Sequence, residues 1–194
     1  MSIFVETIKS MMSQPLAALI QEVATRLQES NRRVVFAESC TGGLVSASLA
    51  RVPGISEFHC GSAVVYRLDT KTQWLGVPEA LLLDPGPVSE VVAREMALGV
   101  LARTPEADFA ASITGHLGPN APDAQDGLVF IGIARRSAEP TREPTVVLFE
   151  ERLPFEGPEL HDFPGNSVRE QRQWLAVERV LSHLKAVLTN PLAP

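Results

Sequence analysis

The sequence predicts an α/β domain in which helices cover both faces of one mixed, mostly buried β-sheet. Three features point there. Amphipathic helical stretches are interleaved with short strands, the first strand is apolar on both faces, and no internal repeat or low-complexity tract interrupts the order. The chain has 194 residues, which suits a single domain, with residues 1–14 as an N-terminal extension and 167–189 as a C-terminal helix.

The elements follow in order. Leu16, Leu19, Ile20, Val23 and Leu27 share one helical face, with Ser13 as the expected cap and Pro15 in the first turn. Val34 to Ala37 is short, apolar and rich in β-branched side chains, as a buried strand should be. A helix is expected from about Thr41, carrying Leu44, Val45, Leu49 and Val52 to a stop at Pro53-Gly54. Gly61 to Tyr66 reads as a second strand, followed by a short helix from about Asp69 that carries Lys71 and Trp74. Ser89 should cap a helix whose inner face holds Val92, Met96 and Val100. Strands are then expected at Phe109 to Ile113, Leu128 to Ala134 and Thr145 to Phe149. The last two have no helix-length connection between them, so they should pair antiparallel. From Ser167, Trp174, Val177, Leu181, Leu184 and Leu188 form one stripe of a long terminal helix.

Composition narrows the function. Hydrophobic residues make up 45% of the chain, enough for a core that covers both sheet faces. A formal charge of -6 with no Lys/Arg cluster argues against a nucleic-acid surface, although a local basic pocket for a small anion is compatible with it. Cys40 and Cys60 form no CxxC pair, which suits a reducing compartment and disfavours zinc. The opening MSIFVETIKSMMSQP does not read as a secretory signal, and no stretch approaches the ~20 apolar residues of a bilayer span. A soluble cytoplasmic protein without membrane attachment is the expectation.

Ser39-Cys40-Thr41-Gly42-Gly43 lies where a buried strand turns into a helix. At such junctions the glycines let the chain turn, and unpaired helix N–H groups favour a phosphate or an oxyanion. From the residues alone, Ser39 is either a cap or a nucleophile. Cys40 is either a small buried apolar residue or the nucleophile of a thiol amidase, and none of the four histidines forms a motif with it.

The blocks AESCTGG, GSAVVYRLDTKTQWLGV, GPVSEVVAREMALG and SITGHLGPNAPDAQDGLVFIGIA together resemble the C-terminal domain of the competence-damage-inducible CinA family. The resemblance runs from Leu16 to the final helix. It implies a pyridine-nucleotide deamidase, which converts nicotinamide mononucleotide and water to nicotinic acid mononucleotide and ammonia. It makes Ser39 the nucleophile, with Tyr66 and Lys71 of a Y-x-x-x-x-K block assisting. Backbone N–H groups of Cys40, Thr41, Gly42 and Gly43 would stabilise the oxyanion, and Thr114 and Gly115 of a TGxxGP-like loop would hold ribose or phosphate. No metal or organic cofactor is required by that mechanism.

Four places depart from the family pattern: Arg67-Leu68 replaces Ser-Asn after the tyrosine, His116 replaces an aliphatic residue, Asn120-Ala121-Pro122 replaces a glycine-rich continuation of the loop, and Gly165-Asn166-Ser167 replaces a G-D-R segment. Arg169 supplies the missing cation if the chain is locally shorter; otherwise it is a surface residue. These departures leave open a nucleotide-binding or regulatory module without turnover. Full-length relatives often carry a preceding nucleotide-pyrophosphatase domain, for which this chain has no room, so that activity is not expected. A homodimer or higher homo-oligomer is expected from the apolar faces of the long helices.

Overall fold

The computed structural model describes residues 14–122, 124–139 and 141–189. It contains one five-stranded sheet in the order β2-β1-β3-β4-β5. The strands are β1 (Val34–Glu38), β2 (His59–Val64), β3 (Phe109–Gly115), β4 (Leu128–Arg135) and β5 (Thr145–Arg152). β2 and β3 flank β1 and run parallel to it, and β4 and β5 add antiparallel pairs, as the short connection between them requires.

Alternation along β1 divides the core. Val34 and Phe36 face helices α1 (Gln14–Ser30), α2 (Leu44–Leu49) and α7 (Val168–Thr189), together with Leu16, Val45 and Leu181. Val35 and Ala37 face the other way. They pack with Leu75 of α3 (Leu68–Leu75), Leu82 of α4 (Glu79–Leu83), and Val92 and Met96 of α5 (Glu90–Ala102). Every residue of β1 is buried, so the apolar run reflects burial from both sides. A one-turn helix, α6 (Pro158–His161), precedes α7. No described helix is long and apolar enough to cross a membrane.

Several boundaries differ from the sequence expectation, each for a local reason. Helix α2 begins at Leu44 rather than near Thr41 because Gly42 and Gly43 take the left-handed conformation, φ 64° and 98°. Strand β2 starts at His59 and stops at Val64, because its parallel register with β1 runs from Val34 opposite His59 to Glu38 opposite Val64. Tyr66 therefore lies beyond the strand. Ser89 occupies the cap position of α5, but its hydroxyl donates back to the Gly86 carbonyl at 2.8 Å and makes no cap bond. The Ser13 cap lies outside the described residues. Helices α4 and α6, of five and four residues, are too short to show a periodicity.

The architecture places the carboxyl ends of β2, β1 and β3 side by side. After β1 the chain leaves toward β2, and after β3 it leaves toward β4, so a crevice opens between the ends of β1 and β3. Ser39 follows β1 and Thr114 lies at the end of β3.

Candidate active site

The turn after β1 is tied by a residue that composition and motif reading passed over. Glu38 is 1% exposed, and its Oε2 accepts from Thr41 Oγ1 at 2.8 Å and from the N–H groups of Gly43 and Val45 at 3.0 Å each. Its Oε1 accepts from the Ser46 N–H at 2.9 Å and from Ser62 Oγ at 3.1 Å. The Gly42 N–H donates to the Ser39 carbonyl at 3.0 Å. Gly42 and Gly43 thus spend their donors inside the turn, and neither lines the pocket below, so the expected ligand-binding run from Cys40 to Gly43 contracts. In that run, only the N–H groups of Cys40 and Thr41 donate to no other described residue.

Ser39 is held on both sides of its backbone: its N–H donates to the Ile113 carbonyl at 3.1 Å, while its own carbonyl takes the Gly42 bond. The Ser39 hydroxyl makes no hydrogen bond among the described residues. Cys40 is buried, and burial pushes its thiol up to about 12, far from the thiolate range at neutral pH.

Lys71 projects from α3. It is 1% exposed, and its Nζ donates to the Val65 carbonyl at 2.8 Å. Burial without an ion-pair partner lowers its pKa from 10.5 to about 8, with the neighbouring Cys40 opposing the shift. The linkage has a definite sign. Between pH 8 and 10.5 the unfolded chain binds more protons at this residue than the folded chain does, so this contribution to stability rises with pH across that window. Thermal unfolding of wild type beside Lys71→Met should show the wild type gaining relative stability from pH 8 to 10.5. A constant difference would contradict the buried, shifted amine.

The far wall comes from the loop after β3 and the first turns of α7. Thr114 is buried, with its hydroxyl donating to the Pro87 carbonyl at 2.8 Å. Arg169 donates from Nη1 to the Gly118 carbonyl at 2.5 Å and from Nη2 to the Tyr66 hydroxyl at 2.8 Å. It is half-buried and joins the loop to the tyrosine, so it is not a free surface residue. One turn on, Gln173 Nε2 donates to the Cys40 carbonyl at 3.2 Å.

Arg172, 1% exposed, binds Asp126 through two bonds of 2.8 and 2.7 Å, as well as the carbonyls of Leu117 and Pro154. It anchors the loop from inside, and the guanidinium holds the Asp126 carboxyl below the usual carboxylate range. Gly118 is needed there, since a Cβ would sit 2.8 Å from Asp126 Oδ1. Asp126→Ala should cost about 3 kcal/mol in chemical denaturation, because it strands a buried cation. Arg172→Leu should cost less, about 2 kcal/mol, because the carboxylate of Asp126, with a side chain 46% exposed, returns to water.

Together these segments enclose a pocket of about 250 Å³. Ser39, Cys40, Tyr66, Lys71, Thr114, Gly115 and Arg169 all line it, whereas Thr41, Gly42 and Gly43 do not. Leu68, His116 and Asn120, positions where the sequence departs from the family pattern or its continuation, are also in the wall. No hydrogen bond joins any two of Ser39, Tyr66 and Lys71; the recorded partners are Arg169 for Tyr66 and Val65 for Lys71. Among the described residues, no group of three His, Cys, Asp or Glu side chains could hold a metal ion.

Sequence reasoning missed Glu38, Arg172 and Gln173. Glu38 was visible within the quoted AESCTGG block as a charge in an otherwise buried strand. Arg172 and Gln173, one helical turn after Arg169, gave no signal among the polar residues of α7.

A mixed five-stranded sheet with a ligand-sized pocket at the carboxyl ends of its parallel strands defines a class of α/β domain. The CinA C-terminal domain profile matches residues 16–152, and the chain belongs to that family. A CinA-like protein of Geobacter metallireducens is 41% identical over 114 residues, 58% of this chain and 27% of that protein. A CinA-like protein of Thermotoga neapolitana is 33% identical over 86% of this chain and 37% of its own length. The chain therefore spans about a third of the length of these curated relatives. Among solved structures, the competence/damage inducible protein CihA from Agrobacterium tumefaciens superposes with a TM-score of 0.77 at 29% identity, covering 92% of this chain and 98% of that one. The competence damage-inducible protein A from Klebsiella pneumoniae gives 0.76 at 26% identity, covering 91% and 98%.

Proposed function

We propose that this domain is a serine amidohydrolase that deamidates nicotinamide mononucleotide to nicotinic acid mononucleotide and ammonia. The observation that carries the reading is the pairing, in one pocket, of a serine hydroxyl without a partner and a buried lysine whose pKa is lowered to about 8. A neutral amine can act as a base near neutral pH, whereas an ordinary lysine cannot.

In this reading Ser39 Oγ attacks the carboxamide carbon and its proton passes to Lys71 Nζ, with Tyr66 orienting the transfer. The carbonyl oxygen becomes an oxyanion facing the N–H group of Cys40, which lines the pocket. Collapse breaks the C–N bond, and the proton on Lys71 goes to the leaving nitrogen, which departs as ammonia. A water molecule, deprotonated by Lys71, attacks the ester; its collapse frees the acid and returns the proton to Ser39. Arg169, on the opposite wall, is assigned the phosphate.

Incubation of the protein with nicotinamide mononucleotide, followed by mass spectrometry of the product and an ammonia assay, tests the reading. The expected kcat/KM rises with pH and levels off above about 8, as Lys71 loses its proton. Arg169→Ala should raise KM about 10- to 100-fold, the worth of a hydrogen bond to a charged group. Leu68, 49% exposed in the pocket wall, supports a second reading in which the pocket binds a pyridine nucleotide without hydrolysing it. Binding by calorimetry with no ammonia release would favour that reading.

A further inference from the structure

Burying a carboxylate is costly unless charge or hydrogen bonds replace its water. Among the described residues, no ion pair compensates Glu38. Its partners are five neutral donors from three places: Thr41 and Gly43 of the turn, Val45 and Ser46 of the helix start, and Ser62 of the edge strand β2. A backbone turn alone would be held by an ordinary serine or asparagine cap. The extra reach of glutamate, and the use of both its oxygens, fixes the turn against two neighbouring elements at once. The residue so fixed is the next one in the chain, Ser39, whose N–H and carbonyl are each also bonded.

We propose that Glu38 is a positioning residue for the Ser39 nucleophile, acting through the turn that it ties. The proposal rests on the serine mechanism above. It has two consequences. The Ser39 Oγ is presented from a backbone with little freedom, as an attack distance set within about an ångström demands. In addition, Glu38 occupies the donors at the start of α2, so a substrate anion has no place there and the Cys40 N–H group, in the pocket wall, remains for the oxyanion.

Glu38→Gln is the direct test. The amide keeps the shape, but one of its two terminal atoms is an NH2 that can accept nothing, so one set of donors loses its acceptor. Three readouts are taken on variant and wild type: steady-state kinetics with nicotinamide mononucleotide, the rate at which phenylmethanesulfonyl fluoride modifies the Ser39 peptide, and amide exchange of Gly43, Val45 and Ser46 by NMR. The expected result is a kcat lowered tenfold or more with KM within about twofold, Ser39 sulfonylation slowed by a similar factor, and faster exchange at those amides.

Faster exchange with wild-type kcat and sulfonylation would overturn the proposal, leaving Glu38 a purely structural role, and so would unchanged exchange. If the wild type turns over no nicotinamide mononucleotide, the amidohydrolase reading fails by itself, while sulfonylation and exchange still decide the role of Glu38. A wild-type Ser39 inert to the reagent would also overturn the proposal. Should Glu38→Gln not fold, a Thr41→Val/Ser62→Ala double variant loosens the carboxylate but keeps its backbone bonds. It should slow kcat and sulfonylation by about three- to tenfold, and wild-type rates would count against the proposal.

Discussion

Lys71→Met should lower kcat/KM by about 10²- to 10⁴-fold, the usual worth of a positioned general base, with little change in the binding of the intact substrate. Methionine fills much of the same buried volume but has no basic nitrogen, so Ser39 loses the acceptor for its proton. Lys71→Arg should fail to restore the rate, since a guanidinium stays protonated throughout the accessible pH range. The acid limb near pH 8 should vanish from the residual activity of both variants. Kinetics from pH 6 to 10 check this. A residual rate that keeps the same limb would mean that another group sets it.

Ser39→Ala should lower kcat by about 10⁴-fold or more, because no other hydroxyl or thiol in the pocket is activated to replace it. Cys40 is the obvious substitute by position, yet burial holds its thiol up to about 12 and leaves almost no thiolate at neutral pH. Cys40→Ala should therefore keep kcat within about threefold of wild type. The backbone N–H of residue 40 survives the change, so the oxyanion site is retained. Steady-state kinetics on both variants separates a serine from a thiol mechanism, and loss of turnover in Cys40→Ala alone would reverse the assignment.

The sheet was legible because each strand carried its own signal. The buried run of β1 and the short link between β4 and β5 were enough to expect a mixed sheet with an antiparallel pair, whereas the strand order and the antiparallel pairing of β3 with β4 had no local signal. The pocket was legible in part, since Ser39, Tyr66, Lys71 and Thr114 lie in recognisable blocks at three strand ends. What escaped was the wiring between distant segments. The Arg169 to Tyr66 bond spans 103 positions and the Gln173 to Cys40 bond spans 133, and nothing local in α7 announces either. The start of α2 was misplaced for a related reason. A Thr before a helix ordinarily caps it, but here the Thr41 hydroxyl and the first helical N–H groups turn to Glu38, and the left-handed Gly42 and Gly43 set the helix start at Leu44.

The central claim is that Ser39 forms an ester with the substrate's acyl group. It is tested most directly by mixing excess nicotinamide mononucleotide with the protein, quenching in acid within the first turnover, and mapping adducts by peptide mass spectrometry. The serine mechanism predicts the acyl group of nicotinic acid mononucleotide on the peptide holding Ser39, on the serine itself, with none in Ser39→Ala. An adduct on Cys40, or product released in a single turnover with no adduct on any residue, would contradict it.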